Sequence, residues 1–198
     1  MVKFRDIWQT LYPYAVFRTG SSVYLTFDDG PIPEVTPKVL DILAKYGVKA
    51  TFFMVGENID KHPEVYEQVV KAGHSIGNHT YNHLKGWKTP FRDYMANVAK
   101  FPKRTNLFRP PYGKAWLRQR YALVKQGYKL IYWDILTRDY EPTRTPEQML
   151  AQIQRETRPG SIINFHDSIK SNERMLEVLP LVIEWLQSQG YDVKELKG

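Results

Sequence analysis

The sequence predicts an α/β fold in which parallel strands curl into a barrel. Strand and helix signals alternate along most of the 198 residues, as expected for crossover helices around a parallel sheet. Polar residues suited to chemistry follow directly after predicted strands: Asp28, Asp29, His79, His83, Arg109, Asp134, Asp139 and His166. In a closed parallel barrel these positions meet at one end, whereas in an open sheet they spread along an edge. Their convergence therefore favours the barrel.

Caps and apolar runs mark the elements of the first half of the chain. Thr36-Pro37 opens a helix that stops at Gly47, because threonine caps helices and proline suits their first turn. Residues 50–55 are almost continuously apolar, which is typical of a buried strand. The other predicted elements are strands at 23–25, 75–77 and 107–108, and helices at 63–72 and 94–100.

The second half continues the alternation. A helix over residues 115–126 ends at Gly127, and a strand follows at 129–133. Thr145-Pro146-Glu147-Gln148 is a helix start with a capping box. A strand is predicted at 161–165, then a long helix at 173–189 bent at Pro180, and a last strand at 191–195.

Composition indicates one soluble domain over residues 1–198. Apolar residues at 42% and the absence of a low-complexity linker suit a single core. Lys and Arg exceed Asp and Glu by 28 to 21, but the basic residues form no block, so no nucleic-acid partner is expected. The absence of cysteine excludes disulfides, thiolate metal ligands and a cysteine nucleophile.

The role of the N-terminal segment, residues 1–19, stays open. It contains no uniform apolar signal core and no run long enough to span a membrane. Its aromatic and basic residues suit either contact with a membrane surface or packing on the domain itself. A cytoplasmic or membrane-associated protein is expected, unless a signal has been removed. The oligomeric state is left open.

Two short motifs predict a metal site. Asp28-Asp29-Gly30 places adjacent carboxylates after a strand, where a cation would relieve their repulsion. His79 and His83 are four residues apart, which on a helical turn puts both imidazoles on one face. One carboxylate and two histidines make a three-ligand site with open positions, and the other carboxylate is free to act as a base.

Five motifs in order resemble those of the polysaccharide deacetylase family, also called carbohydrate esterase family 4 or the NodB homology domain. They are Thr26-Phe27-Asp28-Asp29-Gly30, His79-Thr80-Tyr81-Asn82-His83, Arg109-Pro110-Pro111-Tyr112-Gly113, Thr137-Arg138-Asp139-Tyr140 and Ile162-Ile163-Asn164-Phe165-His166-Asp167. The resemblance covers residues from about 20 to 195. It implies a distorted (β/α) barrel and one divalent metal, usually zinc, with cobalt or another ion as alternatives. It also implies hydrolysis of N-acetyl or O-acetyl groups on a carbohydrate.

The resemblance also implies a role for each motif residue. Asp29, His79 and His83 would bind the metal, and Asp28 would be the general base, because it must stay free to take a proton from water. Arg109 would hold Asp28 ionised, and the backbone N–H of Tyr112 would bind the oxyanion. His166 would protonate the leaving amine, with Asp139 stabilising its charged form.

Substrate contacts are expected from Tyr112, Tyr140, Asn164 and Trp133. Two of these depart from the family pattern, which commonly has Trp at the position of Tyr140 and Leu, lining the acetyl pocket, at that of Asn164. Trp133 and Trp87 suit either a sugar-stacking platform or the core. Trp116 and Trp185 lie in helical patterns and are expected in the core, and His62 and His74 are expected to be structural.

Three other functions remain compatible with the sequence. A polar acyl pocket suits an amide hydrolase acting on a formamido sugar or a small cyclic amide. Two histidines and a carboxylate are also the ligands of iron-dependent oxygenases, although those normally use an all-β barrel. A carbohydrate-binding protein that has lost catalysis is the third, but binding alone needs no pair of base and acid.

Overall fold

A computed structural model of the protein describes residues 12–198. Within them, eight strands form one sheet in which every neighbouring pair is parallel. The order across the sheet is β1-β6-β5-β4-β3-β2-β8-β7. The strands are β1 (Ala15–Val16), β2 (Tyr24–Asp28), β3 (Thr51–Met54), β4 (Ser75–Asn78), β5 (Leu107–Phe108), β6 (Lys129–Ile131), β7 (Ile135–Leu136) and β8 (Ile162–His166).

Helices connect most of these strands, as parallel pairing requires. They are α1 (Thr36–Lys45), α2 (Gly56–Lys61), α3 (Pro63–Lys71), α4 (Phe91–Ala99), α5 (Leu117–Lys125), α6 (Pro146–Glu156) and α7 (Asn172–Ser188). Short 3₁₀ turns at Gly86–Lys88 and Pro111–Gly113 lie in the loops after β4 and β5. In the described part of the chain, no helix has the length and apolar character needed to cross a bilayer.

The sheet curls into a half-barrel. Its two edges, β1 and β7, do not pair with each other within residues 12–198. Arg18, just after β1, forms an antiparallel bridge with Ser161, just before β8, so the chain spans the gap between the edges. The predicted α/β class and distorted barrel are therefore confirmed.

The main core lies between the centre of the sheet and the helices that cover it. Phe27 of β2 stacks on Phe52 of β3 and Phe165 of β8, with ring centroids 5.0 and 5.7 Å apart. All three rings are fully buried, which is worth about 2–3 kcal/mol each. This packing holds β2 beside β8 in a register that places Asp28 opposite His166.

The described part of the N-terminal segment packs on the domain. Strand β1 pairs with β6, and the rings of Tyr12 and Phe17 lie 5.7 and 5.2 Å from that of Tyr132. Residues 12–18 therefore pack on the domain, as one of the two alternatives for this segment expects. Residues 1–11 of the predicted 1–19 segment lie outside the described residues.

Several local predictions differ from the structure. Strands β1 and β7 were not predicted. Residues 191–195 do not form a strand, since only Val193 makes a bridge, to Val23. Helix α2 was not predicted; it follows β3 directly and brings the Asn58 side chain to the Asp29 carbonyl, at 2.8 Å.

Candidate active site

Most polar residues predicted after strands meet at the carboxyl end of the sheet. The register explains this, because Asp28 pairs with His166 and Asn78 with Phe108. The residues that follow Asn78 and Phe108 are His79 and Arg109, which are thereby brought together at the same edge. One end of the half-barrel therefore collects three carboxylates, three imidazoles and a guanidinium.

Asp134 is the exception, and its placement with the other site residues was wrong. Its carboxylate accepts hydrogen bonds from Ser161 Oγ (2.9 Å) and Ile162 N–H (2.8 Å), at the amino end of β8. The chain leaves β6 at Ile131 and must return to the amino end of the sheet before β7, which also runs parallel to its neighbour. Asp134 lies on this return and so faces away from the site.

Asp29, His79 and His83 form a cluster suited to a divalent metal. Asp29 Oδ1 lies 3.2 Å from His83 Nε2 and 3.8 Å from His79 Nε2, and the three ligand atoms all lie within 4.8 Å of one another. Asp29 Oδ1 is buried and accepts no aligned hydrogen bond from a described residue, a costly state that a cation would relieve. His79 Nδ1 contacts the Arg109 carbonyl oxygen at 2.8 Å, so it carries the proton and Nε2 keeps its lone pair for a metal.

A loop, and not a helical turn, brings the two histidines together. Residues 79–85 are irregular, and Thr80 and His83 adopt left-handed backbone conformations with φ of 66° and 54°. Side chains replace the missing helical hydrogen bonds: Asn78 Oδ1 accepts from Thr80 N–H, and Asn97 Oδ1 accepts from the next two N–H groups. The predicted pairing of His79 and His83 is confirmed, but the predicted helical face is wrong.

Burial and charge set the protonation of these ligands. Burial lowers the pKa of His79 to about 4, against the opposing pull of the Asp28 and Asp29 carboxylates. Burial raises the pKa of Asp29, but the neighbouring imidazoles of His83, His166 and His79 outweigh it and hold that pKa below its ordinary value. At neutral pH His79 is neutral and Asp29 is ionised, which are the forms that bind a metal.

Asp28 is buried and held on both oxygens. Arg109 Nη1 donates to Oδ1 at 2.7 Å, and Asn164 Nδ2 donates to Oδ2 at 3.1 Å. Oδ2 also lies 4.0 Å from His79 Nε2, so this carboxylate borders the metal cluster. The arrangement fixes the orientation of the Asp28 carboxylate beside the metal cluster.

Arg109 is the largest fully buried side chain of the protein's described part. Besides Asp28, its guanidinium donates to Thr26 Oγ1 (2.9 Å) and the Tyr132 carbonyl (2.9 Å), and it lies 4.1 Å from the centre of the Phe53 ring. Burial lowers the pKa of Arg109, and the charge of Asp28 opposes that effect. The charged pair is thus fully hydrogen-bonded, the condition under which burial of an ion pair is tolerated.

Asn164 belongs to this network. Its Oδ1 accepts from Arg109 Nη1 at 2.5 Å and from Thr26 Oγ1 at 3.2 Å, and its side chain is fully buried. The predicted substrate contact from Asn164 does not fit this position, because every polar atom of its amide is used within the protein. Asn164 instead helps to hold the Asp28 carboxylate in place.

His166 is paired with Asp139. Its Nδ1 lies 2.8 Å from Asp139 Oδ1, and its backbone N–H donates to Asp139 Oδ2 at 2.8 Å. Burial lowers the pKa of His166, but the hydrogen bond and charge of Asp139 outweigh it and raise that pKa to about 9. Tyr140, 38% exposed, places its ring edge-on to the imidazole at 5.0 Å. The imidazole is therefore cationic at neutral pH, and among residues 12–198 its Nε2 has no hydrogen-bond partner.

Tyr112 and Trp133 lie on the side of the site formed by the loop after β5. Tyr112 has a φ of 59°, is 56% exposed and places its ring 4.7 Å from that of His83. Its backbone N–H has no acceptor among residues 12–198 and is available to a ligand. Trp133 is half-buried behind it, where a Cβ added to Gly113 would lie 3.1 Å from the indole.

The sequence analysis assigned no role to two residues that have clear structural roles in the site. Thr26 accepts from Arg109, and Asp167 accepts from Gly30 N–H (3.0 Å) and Thr36 Oγ1 (2.6 Å), which fixes the turn after Asp29. Both stand inside the first and fifth sequence motifs, which are the signals that could have identified them.

Known proteins with the same architecture identify the class. The family described as Polysaccharide deacetylase matches residues 17–131. A peptidoglycan-N-acetylglucosamine deacetylase of Bacillus cereus is 32% identical over 92% of this chain and 70% of its own. A chitooligosaccharide deacetylase of Azorhizobium caulinodans is 34% identical over 91% of this chain and 95% of its own.

Solved structures agree with the sequence relatives. A peptidoglycan N-acetylglucosamine deacetylase crystallised with an N-hydroxybenzamide superposes with a TM-score of 0.86 and 29% identity, over 99% of this chain and 95% of the other. A Bacillus anthracis pseudoenzyme of carbohydrate esterase family 4 superposes with a TM-score of 0.81 and 26% identity, over 95% and 69%. The chain belongs to the polysaccharide deacetylase family, a class of hydrolases acting on carbon–nitrogen (amide) bonds of acetylated carbohydrates.

Proposed function

We propose that this protein is a metal-dependent deacetylase that removes N-acetyl groups from a glycan containing N-acetylglucosamine. The observation that carries the proposal is that Asp29, His79 and His83 lie together with a candidate base, Asp28, and a candidate acid, His166. Asp28 is bound by Arg109, and His166 is bound by Asp139. The relatives named above, which act on peptidoglycan and chitooligosaccharides, support the substrate class.

Asp28 is the general base of the proposed reaction. Asp29, His79 and His83 would hold a divalent ion, and their nitrogen and oxygen ligand atoms suit zinc. Such an ion would polarise the acetyl carbonyl as a Lewis acid and activate water. Asp28 Oδ2 lies at the edge of that cluster, 4.0 Å from His79 Nε2, and takes the proton of the attacking water. Arg109 Nη1, 2.7 Å from Asp28 Oδ1, holds the carboxylate in position for this step.

Two groups stabilise the breakdown of the tetrahedral species. The Tyr112 backbone N–H donates to the oxygen on which negative charge develops. His166, held by Asp139 at Nδ1, gives the proton on Nε2 to the nitrogen as the C–N bond breaks. The products are acetate and a free amine. The nitrogen cannot leave as a strongly basic amide anion and must be protonated, whereas a sugar alkoxide is less basic and depends less on such an acid. N-deacetylation is therefore proposed ahead of O-deacetylation.

Acetyl is also favoured over formyl as the group removed. The case for a formamido substrate depended on a polar Asn164 in the acyl pocket, but Asn164 is occupied by Asp28, Arg109 and Thr26. A protein that binds carbohydrate without catalysis is the other alternative, and the pseudoenzyme named above is an example of one that has lost activity. This chain keeps the base Asp28 with Arg109 and the acid His166 with Asp139, which argues for turnover.

The test is acetate release from N-acetylated chitohexaose, peptidoglycan and O-acetylated xylan, by metal-free protein and by protein reloaded with zinc or cobalt. We expect release from the N-acetylated glycans only after metal is restored. Equal release without metal would contradict metal dependence. N-formylated chitohexaose is assayed in parallel for formate release. Formate release from it without acetate release from the acetylated hexamer would contradict the acyl assignment.

A further inference from the structure

Two neighbouring loop segments lead away from the metal cluster and carry alternating aromatic and cationic side chains. We name Lys85, Trp87, Tyr112, Lys114 and Trp116 the aromatic ladder. The Lys85 ammonium lies 4.8 Å from the centre of the Tyr112 ring, and the Lys114 ammonium lies 4.3 Å from that of Trp87. The Trp87 and Trp116 rings stack at 5.7 Å with an interplanar angle of 29°. The ladder thus begins beside His83, which Tyr112 contacts, and ends in a pair of indoles.

The ladder side chains face solvent. Trp87 is 42% exposed, and Tyr112 and Trp116 are each 56% exposed, whereas the intervening Gly86, Gly113 and Ala115 are buried. The prediction that Trp116 lies in the core was therefore wrong. Single exposed apolar residues are ordinary, but a contiguous cluster of aromatic rings at the mouth of a site marks a binding surface.

Buried polar contacts hold the two segments in place. Gln119, 1% exposed, accepts from Trp116 N–H at 2.8 Å and donates to the Gly86 carbonyl at 3.0 Å. Gly86 N–H in turn donates to the Lys114 carbonyl at 3.0 Å. A Cβ at Gly86 would lie 2.5 Å from that carbonyl oxygen, so glycine is needed for this approach. The rings are therefore preorganised, which lowers the entropic cost of binding.

We propose that the aromatic ladder binds a glycan chain bearing anionic groups, on sugars beyond the one that is deacetylated. The rings offer flat apolar faces for sugar rings, and Lys85 and Lys114 offer cations for carboxylates or phosphates. Trp116 lies four residues beyond Tyr112 in the chain and stacks on Trp87, so the indole pair offers an oligosaccharide a second contact. The formal charge of +7 also favours an anionic partner. This inference rests on the proposed function.

The experiment compares KM and kcat for chitohexaose, carboxymethylated chitohexaose and an aryl acetate too small to reach Lys114 or the indoles of Trp87 and Trp116. We expect Trp116→Ala to raise KM for both hexamers by about 5–30-fold, the range for loss of an aromatic anchor, with kcat and aryl acetate turnover unchanged. Lys114→Gln should raise KM for the carboxymethylated hexamer only. Leu181→Ala, an exposed apolar residue of α7, and Lys45→Gln, whose ammonium also lies over a tyrosine, are the matched controls.

Unchanged KM values in Trp116→Ala would overturn the inference, as would equal losses on the hexamers and the aryl acetate. Binding of anionic lipid vesicles that depends on Trp116, with unchanged hexamer kinetics, would overturn it in favour of a membrane surface. If the parent protein released no acetate, the proposed function would fail separately. The carboxymethylated hexamer would then not be consumed, and calorimetric titration into parent protein and Trp116→Ala would still test the ladder.

Discussion

Removal of the Asp139 charge should move the alkaline limit of activity to lower pH. Asp139 is the main group that raises the pKa of His166 from its ordinary 6.5 to about 9, a difference worth on the order of 3 kcal/mol. A general acid works only while protonated, so activity is lost as pH rises through this pKa. In Asp139→Asn the raising effect disappears while burial, which lowers the pKa, remains. We therefore expect the alkaline midpoint of kcat/KM to fall by about 2 pH units.

The tautomer of His166 should change as well. In Asp139→Asn the amide oxygen can keep the hydrogen bond from the His166 backbone N–H, but the amide N–H₂ then faces Nδ1 of the imidazole. Nδ1 would have to give up its proton, which opposes the charged imidazolium. Turnover should therefore fall about 10²–10⁴-fold at pH values above the new midpoint.

The assay is acetate release from chitohexaose at a series of pH values between about 5 and about 10, in the zinc-loaded protein. Glu141→Gln, which removes a partly exposed carboxylate two residues away, is the control and should keep the parental midpoint. An alkaline midpoint in Asp139→Asn within about half a pH unit of the parent would refute the assignment of His166 as the acid.

Two further substitutions test the site. His83→Ala should lose zinc and activity together with little change in fold, because the side chain is partly exposed and lies in a loop; His62→Ala should lose neither, and full zinc content in His83→Ala would rule out this ligand. Asn164→Leu should lower the free energy of unfolding, measured in urea, by about 2–3 kcal/mol, since it leaves buried donors and acceptors of Asp28, Arg109 and Thr26 unpaired. An unchanged unfolding midpoint, with a higher ratio of acetyl to formyl turnover, would instead place Asn164 in the acyl pocket.

The sequence was sufficient for the parallel architecture and for the grouping of most site residues. Strand ends in a parallel sheet share one edge, so residues that directly follow β2, β4, β5 and β8 had to meet. Asp134 shows the limit of that rule, because it follows β6 but lies on the return to the amino end of β7. Its position depends on where a short strand ends, which is the least certain feature of a sequence pattern.

Long-range partners could not be predicted from local pattern. The four-residue spacing of His79 and His83 suits a helix, but Asn97 supplies the hydrogen bonds that hold them in a loop. Asn164 is polar in sequence, but its burial depends on Arg109, 55 positions away. The sequence pattern placed Trp116 inside a helix, but the residue lies just before α5 begins, and its ring is exposed to solvent.

The most direct test of the central claim measures zinc content and turnover together in Asp28→Asn. The isosteric amide cannot accept a proton from water, but the metal ligands are untouched, so zinc stoichiometry should equal that of the parent while kcat falls at least about 100-fold. Circular dichroism and thermal melting would establish that the protein is folded despite the lost partner of Arg109. A folded, zinc-loaded variant with near-parental acetate release would contradict the account, because the base would then lie elsewhere.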